Sequence, residues 1–278
     1  DLIAGTSTGG IIALALAHGI DLQTLRALYA EKGREIFDDS FLDDVLDLGR
    51  IAAAEYDNKN LARELTRLFA DTPLSGLKKR VLITSFDLDS GDDENPKERK
   101  SPAERSWKPK LFHNFPGKDT DGARLARAVA LYTSAAPTYF PSVDGFIDGG
   151  VYANNPAMCA LAQTQDSRIG KPPALGDVTL LSVGTGTSRV YIRGSRLDWG
   201  YARWAKPLVG LMMDGVSGIA DYQCEQILGD RYHRIAPCFP SGTNVPMDAV
   251  NRIDYMQEFA QSVRLDATIQ WIADNWSD

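Results

Sequence analysis

Short apolar runs bounded by turn residues alternate along this chain with longer stretches in which apolar residues recur every three or four positions. The short runs predict strands over residues 2–4, 81–86, 110–115, 178–183 and 232–235. The longer stretches predict helices over residues 10–17, 22–32, 61–70, 125–134, 156–165, 211–228 and 255–276. The last carries Met256, Phe259, Val263, Ile269, Ile272 and Trp276 at helical spacing, a stripe expected to pack on a sheet. Strands alternating with helices, without internal repeats, predict an α/β layered sheet.

Two stretches break the alternation. Between Asp87 and Arg105 the chain is almost entirely charged, polar or proline, including Asp92, Asp93 and Glu94 followed by Lys97, Glu98, Arg99 and Lys100. Such a segment reads as a solvated loop joining two strands. The second stretch runs Trp199-Gly200-Tyr201-Ala202-Arg203-Trp204 and then Leu208-Val209-Gly210-Leu211-Met212-Met213. Aromatic and methionine residues at this density fit an acyl-chain groove or a lipid-facing surface, and equally a packed core.

Composition sets bounds on these readings. At 278 residues, 44% hydrophobic and 24% charged, the chain can bury one enzyme-sized core. A net charge of −7 argues against a nucleic-acid partner and against strong attraction to anionic lipid. Cys159, Cys224 and Cys238 form an odd set with neither paired spacing nor a nearby histidine cluster, so buried free thiols are expected rather than disulfides or a zinc site. Every apolar run falls short of the ~20 residues of a membrane span, and no charged-then-apolar signal segment opens the chain. These features point to a reducing, cytoplasmic setting.

The candidate chemistry begins at Gly5-Thr6-Ser7-Thr8-Gly9-Gly10, between the end of an apolar strand and the start of an apolar helix. Strand, sharp turn, helix is the setting of a nucleophile elbow, in which Ser7 projects its hydroxyl at the apex. Glycines at 5 and 9 would remove side chains that clash in so tight a turn. The helix N-terminus would favour negative charge developing nearby. A phosphate-binding loop is the weaker alternative, since no Gly-Lys-Ser or Gly-Lys-Thr follows. Gly184-Thr185-Gly186 is not a dinucleotide fingerprint either, because position 189 is Arg.

The second element is Ile147-Asp148-Gly149-Gly150-Val151, where Asp-Gly between apolar residues taken alone signals a hairpin turn. Its surroundings change that reading. Ser134-Ala135-Ala136-Pro137 precedes it and Asn154-Asn155-Pro156 follows it. With the Gly-x-Ser-x-Gly serine, this series resembles the patatin-like acyl hydrolases and phospholipases. Tyr56-Asp57-Asn58-Lys59 and the run from Leu180 to Gly186 are similar to further landmarks of that family. The resemblance extends from Asp1 to about Gly186 and weakens beyond.

What the resemblance implies is specific. The fold would be a three-layer α/β domain over residues 1–278, its central sheet mostly parallel with helices on both faces. Ser7 would be the nucleophile and Asp148 the base in a Ser-Asp dyad, with Gly149 and Gly150 allowing close approach and an acyl-enzyme forming on Ser7. The Thr8 backbone N–H would serve the oxyanion, joined by donors from a separate glycine-rich loop. Substrates would be phospholipid or lysophospholipid esters met at a membrane or micelle surface, with no metal or organic cofactor. Some bacterial members are membrane-degrading effectors switched on by a partner or small nucleotide, and the sequence identifies no such activator.

Family members carry a first strand and the glycine-rich oxyanion loop before the serine, and this sequence opens at Asp1 without them. The expectation is a chain given without its upstream segment. The alternatives are a non-catalytic lipid-binding or scaffold domain, and a Ser7-Asp148-His233 triad in the chain order of α/β-hydrolases. His233 falls in an expected strand, whereas a triad histidine usually sits on a loop. His18 reads as a helix C-terminal residue favouring the dipole, and His113 as part of a strand.

Overall fold

The computed structural model describes residues 1–36, 56–91, 101, 104–193 and 198–276. The charged run that includes Asp92, Asp93, Glu94 and Lys97 to Lys100 lies outside the described residues. Strand β1 (Leu2–Gly5) leads through a tight turn into helix α1 (Thr8–His18). The sequence of α1 is apolar on nearly every face, and Ile11, Ala13, Leu14, Ala15 and Ala17 are all buried. Helices α2 (Leu22–Ile36) and α3 (Lys59–Phe69) follow, then the long strand β2 (Arg80–Asp87) and strand β3 (Lys108–His113). Helix α4 (Ala126–Thr133), strand β4 (Phe146–Asp148), helix α5 (Gly150–Ala153) and helix α6 (Ala157–Gln163) come next.

Strand β2 organises the sheet. It pairs in parallel with β1, from Leu2 opposite Arg80 to Gly5 opposite Ile83. It pairs antiparallel with β3 from Leu82 to Asp87, and antiparallel with β4, where Ser85 faces Asp148. Because β3 overlaps both of the other partners along β2, it takes one edge of that strand and β1 and β4 share the opposite edge. On that edge β1 arrives from below and β4 from above, and they meet end to end at Thr84. The core behind them joins Leu14 of α1, Leu65 and Phe69 of α3, Val81 and Ile83 of β2, Phe112 of β3 and Val129 of α4, each fully excluded from water.

Strands β5 (Leu180–Val183) and β6 (Tyr232–Ile235) form a parallel pair. The 28-residue helix α7 (Tyr201–Leu228) connects them and carries Pro207 within its length. A smaller core of Ala157, Leu161, Val178, Cys224 and Leu228 lies where α6 and α7 meet this pair. The fold is thus α/β, with parallel pairing for β1–β2 and β5–β6 and antiparallel pairing where β3 and β4 join β2.

Two local expectations need correcting. The helix predicted over residues 255–276 is two helices, α8 (Ile253–Ser262) and α9 (Asp266–Asn275), separated where Val263 takes an extended conformation. Its apolar stripe does not pack uniformly on a sheet: the Phe259 ring lies tilted against Phe239, but Ile269 is 64% exposed. The second correction concerns the apolar stretch around residue 208, which is not a packed core among the described residues. Leu208, Val209, Leu211 and Met212 of α7 are exposed, and only Met213 turns inward.

Candidate active site

Ser7 caps α1 at the end of β1 with φ 55° and ψ −129°, in a left-handed region that few residues other than glycine adopt. Its carbonyl accepts the N–H groups of Gly10 at 2.8 Å and Ile11 at 3.1 Å, which starts the helix immediately after the serine. The turn is as tight as the sequence demands. A Cβ on Gly5 would stand 2.2 Å from the Gly9 carbonyl oxygen, so no side chain fits there. Gly9 is different, and corrects the expectation that both glycines relieve a clash: a Cβ there would meet nothing within 4 Å. The crowded second glycine is Gly10, where a Cβ would lie 2.8 Å from Thr133 Cγ2. Open space therefore lies over Gly9, two residues from the Ser7 hydroxyl.

Asp148 ends β4, where the strand turns into α5 rather than into a hairpin. The Asp-Gly hairpin turn is at Asp144-Gly145, both with positive φ, where Val143 and Phe146 exchange N–H to carbonyl bonds. Asp148 is 2% exposed. Its backbone N–H donates to the Ala135 carbonyl at 3.0 Å, and its Oδ1 accepts the Gly150 N–H at 2.7 Å. The other oxygen, Oδ2, has no hydrogen-bond partner. Burial pushes the carboxyl pKa up to about 6, against smaller opposing effects from the Ser7 hydroxyl and the Gly150 N–H. The serine hydroxyl is thus near enough to favour the ionised carboxylate, although no hydrogen bond between them is complete.

Three threonines tie the two halves together. Thr6 Oγ1 donates to the Ala153 carbonyl at 2.6 Å, joining the serine turn to the helix that follows Asp148. That uses the one hydroxyl proton of Thr6, so the 2.7 Å bond between Thr6 and Thr84 has Thr84 as donor. Thr133 Oγ1 donates to the Thr84 carbonyl at 2.6 Å and accepts the Ser7 N–H at 2.8 Å. Gly149 passes so close over Thr84 that a Cβ would lie 2.2 Å from its Oγ1. Sequence reasoning singled out Gly149 but not Thr6, Thr84 or Thr133, because a buried threonine looks like ordinary β-branched packing.

Residues 1–161, a stretch that includes Ser7 and Asp148, match the family model for patatin-like phospholipase. This chain belongs to the patatin-like phospholipase family. It is 34% identical to a cGAMP-activated phospholipase of Pseudomonas aeruginosa over 84% of this chain and 67% of that protein. A cGAMP-activated phospholipase of Vibrio cholerae is 35% identical over 66% of this chain and 52% of its own length. Patatin-like protein 1 of Oryza sativa subsp. indica is 27% identical over 91% of this chain and 68% of its own. The chain spans about half to two thirds of the length of these relatives, and its family places it among lipid hydrolases in broad class.

In this patatin-like phospholipase the asparagines after Asp148 fasten α7 beside the site. Asn154 donates to the Met213 carbonyl at 3.4 Å and Asn155 Nδ2 to the Ser217 carbonyl at 3.5 Å, while Asn155 Oδ1 accepts the Ala157 N–H and the Ser182 hydroxyl. Met213 itself reaches the Asp148 turn, its Cε lying 3.0 Å from where a Gly150 Cβ would stand. His233, the histidine of the triad alternative, makes its contacts elsewhere. Its Nε2 is 2.8 Å from Thr268 Oγ1 and its ring stacks on Trp271 at 5.0 Å. His18 ends α1 against Thr72, and His113 sits in β3. Of the free cysteines only Cys224 is buried; Cys159 is half-buried and Cys238 exposed. Among the described residues no helix is long and apolar enough to cross a membrane, and no group of His, Cys, Asp or Glu could hold a metal ion.

Proposed function

We propose that this chain is a serine acyl hydrolase that cleaves fatty-acyl esters of phospholipids or lysophospholipids through Ser7 and Asp148. The observation that carries the reading is the Asp148 carboxylate: buried, anchored through one oxygen, unpaired through the other, and favoured in its ionised form by the Ser7 hydroxyl. A carboxylate is a weaker base than imidazole. Burial compensates by raising its pKa to about 6, which brings it closer to the range useful for proton transfer near neutral pH.

In the proposed sequence, Asp148 Oδ2 takes the Ser7 hydroxyl proton while Ser7 Oγ bonds to the ester carbonyl carbon. The carbonyl π electrons move onto its oxygen, and the alkoxide is met by the Thr8 N–H in the first helical turn, which helix geometry leaves without an intrahelical acceptor. The Ser7 N–H is already held by Thr133 and does not take part. Collapse expels the lyso-lipid or glycerol oxygen, which leaves with the proton held on Asp148. Water attacks the acyl-serine as Asp148 takes its proton. The fatty acid departs, and the proton returns to Ser7 Oγ. The open space over Gly9 supports an ester approaching from that side.

Two of the relatives are named for activation by cGAMP, so a nucleotide activator is part of this proposal. The test is release of fatty acid from phospholipid vesicles by the full-length encoded protein, with and without cGAMP, beside Ser7→Ala. Hydrolysis by the native protein in either condition, abolished in the variant, is the expected result. Equal hydrolysis by both proteins would overturn the reading.

A further inference from the structure

We propose that Thr133 is a positioning residue that fixes the serine against the aspartate, a role that rests on the Ser7 and Asp148 reading above. The argument begins with backbone strain. Ser7 sits at φ 55°, a conformation that persists only when its surroundings determine it, and its own N–H is part of that determination. The N–H donates to Thr133 Oγ1 at 2.8 Å. The threonine hydroxyl then donates to the Thr84 carbonyl at 2.6 Å, so its proton is committed and its lone pairs are aimed at the serine turn. Thr84 is the residue of β2 at which β1 and β4 meet end to end. Thr133 therefore anchors the nucleophile to the same rung of the sheet that separates it from the base.

The segment after Thr133 holds the other half. Ala135, two residues on, accepts the Asp148 N–H at 3.0 Å. One short stretch at the C-terminal end of α4 thus bonds the backbone of both Ser7 and Asp148, and the distance between them follows from the spacing of residues 133 and 135. The methyl group of Thr133 adds a steric stop, since it fills the space that a Gly10 side chain would need. Thr133 is fully buried, so water cannot replace its hydroxyl.

Thr133→Val keeps the shape and the methyl contact but removes the hydroxyl, leaving the Ser7 N–H and the Thr84 carbonyl unpaired. In the full-length encoded protein, kcat on an ester substrate should fall by about 10²-fold, as for a reacting group displaced by about an ångström. KM should change by less than about threefold, because ester binding is not touched. The fluorophosphonate labelling rate of Ser7 should fall with kcat. Thr133→Ser should return kcat to within about threefold of native. Thr268→Val, which removes a buried threonine hydroxyl bonded to His233, serves as the control for general destabilisation.

Three results would overturn the proposal: kcat within about threefold of native in Thr133→Val, equal impairment in Thr133→Ser, or an equal loss in Thr268→Val. If Thr133→Val does not fold, Thr133→Cys carries the same expectation. Failure of both to fold while Thr133→Ser folds would make the role structural and also overturn it. Ser7→Ala and Asp148→Asn are run alongside. Activity surviving in those two would fault the dyad itself rather than the role of Thr133.

Discussion

The chemistry proposed for Ser7 and Asp148 depends on a cost each residue bears in the fold. Ser7 holds a left-handed backbone angle, and Asp148 is a carboxylate almost without solvent. For Asp148 the cost can be measured against pH. Its folded pKa of about 6 lies above the ordinary 3.8, so the folded state holds its proton more tightly than the unfolded state does. The contribution to stability is full below pH 4 and is lost as pH rises through about 6. The gap converts to about 3 kcal/mol. Asp148→Asn is therefore expected to raise the melting temperature at pH 8 and to change it little at pH 4, while abolishing hydrolysis. Melting curves at both pH values check the sign, and a variant less stable than native at pH 8 would contradict it.

Glycines at the turn separate those that fit from those that are merely present. A Cβ on Gly5 would meet backbone atoms at 2.2 Å, which cannot move aside, whereas one on Gly9 would meet open space. Gly5→Ala should cost on the order of 3 kcal/mol or prevent folding. Gly9→Ala should leave stability unchanged or slightly raised, since alanine is the better helix former. Denaturant midpoints distinguish the two, and similar losses at both positions would refute the close-approach argument.

At the scale of elements, β1, α1, α4 and α6 were legible because their apolar runs are bounded by glycine, proline or polar turns. The serine turn was legible too, as a motif in its required setting. Strand β4 was not, because three residues, Phe146 to Asp148, are too few for a period-two pattern to register. Two Asp-Gly pairs stand four positions apart, and only the pair at 144 makes the hairpin; the pair at 148 ends a strand. Periodicity also ran through the break between α8 and α9, since the link is short and Val263 within it continues the apolar stripe. His233 belongs to β6 and is bonded to α9. His233→Ala is expected to keep most of the native kcat, within about fivefold, and a loss beyond about 10³-fold without a change in melting would restore a triad.

Across the whole molecule, the site is a consequence of how one strand is shared. β1 and β4 lie far apart in sequence, yet both pair with the same edge of β2 and stop on either side of Thr84. No local pattern encodes that meeting. It was inferred only through resemblance to a family, and the threonine network that secures it was invisible until the elements were assembled. The central claim is that this meeting makes Asp148 the base for Ser7. The most direct test is the rate at which a fluorophosphonate labels Ser7, followed from pH 4 to pH 9 in the native protein and in Asp148→Asn. The native rate is expected to rise with pH through about 6 and then level off. In the variant it should be lower by on the order of 10³-fold and show no such rise. Native-like labelling in Asp148→Asn, with the same dependence on pH, would contradict the account.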